Sequence, residues 1–116
     1  MRRGDIYVAD LDAARAIETN KKRPVVIVSN DGINRAANRL DTGVVTVGPL
    51  TTDTARIYGF QVLLTAAETG LNEESKAQAE QIRAIGFSRF GSAAVGHLSD
   101  TLMQPLDTAL HLHLAL

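Results

Sequence analysis

The sequence predicts a mainly β protein with short helices: five or six strands in a small, strongly bent sheet or barrel, closed by a C-terminal helix. Three observations carry this. Short β-branched runs, "PVVIVS" at 24–29 and "GVVTVGPLTT" at 43–52, are too brief for helices and have strand composition. Glycine, proline and Asn/Asp clusters punctuate the chain between such runs. Only the last segment has helical spacing, with Leu102, Leu106, Leu110 and Leu114 recurring every four residues.

Taken in order, "DIYVADL" (5–11) alternates Ile6, Val8 and Asp10 with Tyr7, Ala9 and Leu11, the pattern of a half-buried strand. Residues 12–22 form a polar connection. Pro24 then opens a strand, a position where its missing N–H is tolerated. Val25 to Val28 is apolar on both faces, which places this strand centrally. "NDGINRAANRL" (30–40) is a short helix that Asn30 or Asp31 can cap. The strand over 43–52 contains Gly48-Pro49, a pair that marks a bend or bulge. "DTARIYG" (53–59) is expected to be a hairpin loop leading into "FQVLLT" (60–65), and "AAETGLNEESKAQ" (66–78) a long polar connection. "AEQIRAIGF" (79–87) is expected as one strand and "AAVGHL" (93–98) as a short last one. Ser99 caps the final helix, which Pro105 should bend by removing an i→i−4 hydrogen bond.

The 116 residues suit one domain with one ordinary core, with no linker or repeat. Apolar residues make up 45% and charged residues 22%, the balance of a globular chain rather than a disordered one. No apolar run approaches the ~20 residues of a membrane span, and the N-terminus lacks the apolar core of a signal peptide. The absence of cysteine excludes disulfides and thiolate zinc sites and suits a reducing cytoplasm. Net charge is −1, which argues against a uniformly basic nucleic-acid binder, yet it is unevenly spread. Residues 1–39 hold eight cations against five acids, and residues 40–116 hold four against eight. Lys21, Lys22 and Arg23 stand together before the central strand, where they fit a functional basic patch or solvated surface equally well.

Most catalytic signatures are missing: there is no cysteine nucleophile, nucleophile elbow, P-loop or dinucleotide fingerprint. His111 and His113 are two residues apart on the predicted helix and do not face one another, a poor metal pair. The remaining polar candidates sit at strand ends: Glu18, Arg23, Thr51, Thr52, Gln78, Glu80, Gln81 and Arg83. A bent sheet can gather such positions on one rim. An arginine beside threonine hydroxyls there makes a phosphate site, since the guanidinium fork matches two phosphate oxygens. The same residues also fit ordinary surface pairs and strand ends.

Four segments in this order and spacing, "RRGDIYVADLD", "KKRPVVIVSNDGINR", "VGPLTT" and "SKAQAEQIRAI", resemble the MazF/PemK-type toxins of bacterial toxin–antitoxin pairs, over essentially the whole chain. The resemblance implies one toxin domain over residues 1–116, an SH3-like small barrel of five to seven strands with a C-terminal helix, and a homodimer. It implies metal-independent endoribonuclease cleavage of single-stranded RNA, by attack of the ribose 2′-OH, leaving 2′,3′-cyclic phosphate and 5′-OH ends. No cofactor is implied, and DNA, lacking the 2′-OH, should not be cut. The partner it implies is an antitoxin with an acidic, flexible tail, in the bacterial cytoplasm.

Carried over by position, the resemblance makes Arg23 and Thr51 the core of the active site, with Glu18 as an acidic third member. Lys21, Lys22, Asn34, Thr52, Tyr58, Gln78, Glu80 and Gln81 are the candidate RNA contacts. The amides of Asn34, Gln78 and Gln81 are suited to reading base edges, and Tyr58 to stacking. The chain departs from the family pattern in four places, the first being Ala13 near where a proline is common. Ala16-Ile17 stand where Gly-Ser usually precedes the acidic residue, Gln78 where some members have arginine, and Pro105 inside the usually uninterrupted helix. Two other readings compete: a gyrase-inhibiting toxin on the same fold, and a non-catalytic SH3-like module binding RNA or protein.

Overall fold

The computed structural model describes residues 1–11 and 22–116. Strand β1 (Asp5–Asp10) and strand β2 (Lys22–Ile27) pair antiparallel, from Ile6 opposite Val26 to Asp10 opposite Lys22. Helix α1 (Asp31–Leu40) follows; its N-terminus is capped by Asn30, whose Oδ1 accepts from the Ile33 N–H at 2.9 Å. Strand β3 (Val44–Thr51) is the hub of the sheet. Its residue Val47 has Ile27 of β2 on one side and Arg83 of strand β6 (Arg83–Gly86) on the other.

β3 runs unbroken through Gly48-Pro49, and the interruption falls on its partner. Beyond Pro49, β3 pairs with strand β5 (Ser75–Gln78), Leu50 opposite Ala77, and a 3₁₀ turn (Ala79–Gln81) separates β5 from β6. Proline has no N–H to give a neighbouring strand, so a break at this point costs the sheet little. The expected single strand over 79–87 is therefore a turn followed by a four-residue strand. The expected hairpin is corrected as well. Strand β4 (Gln61–Leu64) pairs with β5, which lies between it and β3. The polar connection over 66–78 contains helix α2 (Ala66–Thr69), held by a Thr65–Glu68 capping box, as well as β5. The last strand shrinks to β7 (Gly96–His97) beside β1.

The sheet order is β4-β5-β3-β2-β1-β7 with β6 also on β3. Among the described residues its two ends do not pair, and the expected small barrel takes the form of a curled half-barrel. Both faces are covered. On one, Ile6, Val26, Leu50, Val62, Leu64 and Ala77 pack against Met103, Leu106 and Ala109 of helix α3 (Asp100–Leu114). On the other, Ala9, Leu11, Val25, Ile27, Val45, Val47 and Ile85 pack with Ala37 of α1 and the rings of Tyr7, Phe87 and Phe90. Helix α3 is continuous through Pro105, which is exposed. Arg3 pins these layers together: its N–H donates to Asp31 at 2.6 Å, its Nε to the Val28 carbonyl at 2.9 Å, and its Nη2 to Asp107 on α3.

Candidate active site on the open face of the sheet

Side-chain alternation decides which strand-end residues meet. On β2, Arg23 shares its face with buried Val25 and Ile27; on β3, Thr51 shares its face with Val45 and Val47. These are the same face of the sheet, since Val25 stands opposite Pro49 and Ile27 opposite Val47. β2 and β3 stop pairing at Val25 and Pro49, so Arg23 and Thr51 share this face two residues beyond the last pair. β5 extends the face, because Ser75 and Ala77 are wholly buried toward the core while Lys76 and Gln78 point the other way. Gln61 and Leu63 of β4 lie beside them, opposite Gln78 and Lys76 respectively. Arg83 of β6 is on this face too, and its Nη2 donates to the Leu11 carbonyl at 2.8 Å.

Hydrogen bonds fix the polar groups in place. Thr51 Oγ1 accepts from the Asp53 N–H at 3.3 Å, which leaves its own hydroxyl hydrogen free to donate. Gln61 is buried and organises the rim: its Oε1 accepts from the Tyr58 N–H at 3.1 Å and its Nε2 donates to Glu80 Oε2 at 2.6 Å. The other carboxylate oxygen, Glu80 Oε1, is buried without a hydrogen-bond partner among the described residues. A buried acceptor left open in this way is unusual and is suited to an incoming donor. Tyr58 is 45% exposed and stacks on Phe60, with parallel rings 5.4 Å apart. The Arg56 guanidinium donates to the Tyr58 hydroxyl at 3.2 Å and lies 5.5 Å from its ring centre.

Alternation thus puts Arg23, Thr51 and Gln78 on one face of the sheet, and Gln61, opposite Gln78, links Tyr58 and Glu80; exposed Thr52 follows Thr51 and exposed Gln81 follows Glu80 in the 3₁₀ turn. Lys22 does not join them; it is exposed on the opposite side of β2 and lines an open cleft of about 570 Å³ with Asp10 and Arg89. Asn34 is a correction. Its side chain is fully buried, with Nδ2 donating to the Ser29 carbonyl at 2.9 Å and Oδ1 accepting from the Ser29 hydroxyl at 2.6 Å. An amide so enclosed cannot read a base. Glu18 and Lys21 lie outside the described residues. Sequence reasoning missed Gln61, Lys76 and Arg56. The signal for Lys76 was the alternation Ser-Lys-Ala-Gln-Ala, whose small residues are too weakly apolar to stand out from a polar connection.

Residues 2–114 match the family model of the PemK-like, MazF-like toxin of type II toxin–antitoxin systems. The chain belongs to this family. The toxin is 52% identical over all 116 of its residues to endoribonuclease MazF9 of Mycobacterium tuberculosis, covering 98% of that protein. It is 33% identical over its full length to endoribonuclease EndoA of Bacillus subtilis, covering 96% of it. Among solved structures, the M. tuberculosis toxin MazF-mt6 superposes with a TM-score of 0.75 at 28% identity, over 97% of each chain. A mycobacterial endoribonuclease solved in complex with its cognate antitoxin gives a TM-score of 0.74 at 28% identity, over 100% of the toxin and 96% of that chain.

Proposed function

We propose that this toxin is a metal-independent endoribonuclease that cuts single-stranded RNA by attack of a ribose 2′-OH on the adjacent phosphorus. The reading is supported by Arg23 and Thr51 sharing one sheet face, each two residues beyond the last β2–β3 pair. It is supported by the endoribonuclease names of the full-length relatives.

The reaction has three demands: removal of the 2′-OH proton, stabilisation of a crowded phosphorane, and protonation of the leaving 5′-oxygen. Arg23 answers the second, because a fixed guanidinium directed at developing negative charge is often the largest catalytic contribution. Thr51, with its hydroxyl hydrogen free, donates to the same oxygens. The 2′-OH proton passes to a carboxylate, Glu80 or Glu18, or to water; Glu80 is held in position through Gln61. The products are a 2′,3′-cyclic phosphate and a 5′-hydroxyl. Tyr58, Gln78, Gln81 and Thr52 contact bases and sugar along the same face.

The whole chain works as one domain, in keeping with two cores that share a single sheet. It pairs as a homodimer through exposed apolar residues at the end of α3 and just beyond it, where Leu112, Leu114 and Leu116 are 61%, 47% and 81% exposed. Its partner is an antitoxin whose acidic, flexible tail lies along the basic N-terminal third of the chain and blocks the RNA face. The site of action is the bacterial cytoplasm, where RNA and antitoxin are both present.

The test is incubation of the purified protein with mixed-sequence RNA in excess chelator, followed by mapping of the cut ends. RNA should be cut at a short motif with cyclic-phosphate ends, and the matching DNA should survive. Arg23→Ala and Thr51→Ala should each lower the rate by about 10²-fold or more with folding unchanged. Intact RNA at every protein concentration would falsify the assignment.

A further inference from the structure

We infer that Lys76 is a second phosphate-contacting cation of this site, binding the RNA backbone next to a base stacked on Tyr58. The inference rests on the ribonuclease reading above. It begins from an energetic oddity. Lys76 is only 7% exposed, and among the described residues no carboxylate pairs with it. Its Nζ makes one hydrogen bond, to the Arg56 carbonyl at 2.8 Å, although an ammonium carries three N–H donors. Enclosing a cation without an anion costs stability. A site that maintains one is matched to an anion that arrives from outside.

Position narrows which anion. Lys76 stands directly opposite Thr51 on one side and exposed Leu63 on the other, on the face that carries Arg23. Its Nζ is 6.0 Å from the centre of the Tyr58 ring, half of a parallel aromatic pair. Aromatic rings beside cations hold single-stranded nucleic acid, with bases stacking on the rings and phosphates meeting the charges. A base on Tyr58 would bring its phosphate within side-chain reach of both Lys76 and Thr51. A carboxylate of an acidic peptide would also neutralise the ammonium, but it leaves the stacking surface without a purpose. RNA is the occupant the geometry favours.

The competing role is mechanical: Lys76 could simply tie β5 to the 52–60 loop through the Arg56 carbonyl. Lys76→Gln separates the two, because the amide keeps an N–H donor and loses the charge. The probe is a single-stranded RNA of mixed sequence made uncleavable by 2′-O-methyl groups, with binding measured by fluorescence anisotropy over a salt series. Lys76→Gln should weaken binding at low salt roughly tenfold. It should also flatten the slope of log K against log salt by about 0.7, the loss of one phosphate contact on a single strand. Lys76→Arg should retain the wild-type slope, and the melting temperature of Lys76→Gln should equal or exceed that of wild type. An unchanged slope in Lys76→Gln overturns the inference, whether or not stability falls. So does an unchanged RNA slope accompanied by weakened binding of a polyglutamate peptide, which assigns Lys76 to a protein carboxylate. Wild-type protein that neither cuts nor binds RNA overturns the ribonuclease reading itself. Wild-type cleavage with an unaltered Lys76→Gln slope removes only the role of Lys76.

Discussion

Asn34 and Lys76 exchange the roles that their positions in the sequence suggest. The asparagine amide, expected to read bases, is spent on Ser29 and locks the N-terminus of α1 to the end of β2. Asn34→Ala should therefore destabilise the fold by about 1–3 kcal/mol, because the partly buried Ser29 groups lose their partner. The cut-site motif should stay the same, which sequencing of cleavage products will check. Asp31, beside it, has a carboxyl held below the ordinary range, chiefly by the Arg3 backbone N–H, which outweighs the opposing effect of burial, with Asn34, Arg35 and the Arg3 charge lowering it further. A depressed carboxyl stabilises the fold above its unfolded value and loses that contribution as pH falls through the folded value. The loss should thus appear below about pH 4. Asp31→Asn should lower the melting temperature at pH 7 by a small amount, under about 1 kcal/mol for so exposed a group. It should also reduce the further fall between pH 5 and pH 3.

Pro105 shows the same separation at the level of an element. It lies past the first turn of α3, where its missing N–H would otherwise have met the Thr101 carbonyl. Both residues are exposed, so water takes up the carbonyl and the helix continues. Pro105→Ala should restore the hydrogen bond and stabilise by about 1–2 kcal/mol, after allowance for the freer unfolded chain. Thermal melting measures this directly, and an unchanged or lowered midpoint would show that the proline is already accommodated. Leu106, one residue on, is 1% exposed against the sheet, and Leu106→Ala should cost about 2–5 kcal/mol. The helix and its cap at Ser99 were legible because a four-residue leucine repeat and a good N-cap are local signals. The division of 75–86 into strand, turn and strand was not, because it answers to Pro49 on a distant segment.

Across the whole molecule, one curled sheet serves two purposes. One face buries α3; the other carries a core at one end and the polar site where that core stops. The far end of α3 leaves Leu112, Leu114 and Leu116 exposed, an apolar surface that a second copy would cover. Leu112→Asp with Leu116→Asp should shift sedimentation from dimer toward monomer while the secondary structure is retained. A wild-type protein that sediments as a monomer at micromolar concentration would remove the dimer from the proposal.

The sequence by itself determined the strand-forming runs, the two helices with clear caps and the family, and it singled out Arg23 and Thr51 as the pair proposed for the site. All of these depend on neighbours along the chain or on ordered motifs. Only the tertiary structure decided that Asn34 is enclosed, that Lys22 and Arg23 face opposite ways into different surroundings, that β5 lies between β3 and β4, and that Lys76 is buried opposite Thr51. Each of those turns on strand register and on which face is covered. A buried lysine and a solvated one are the same letter, and their difference in energy arises only when other segments remove the water around them.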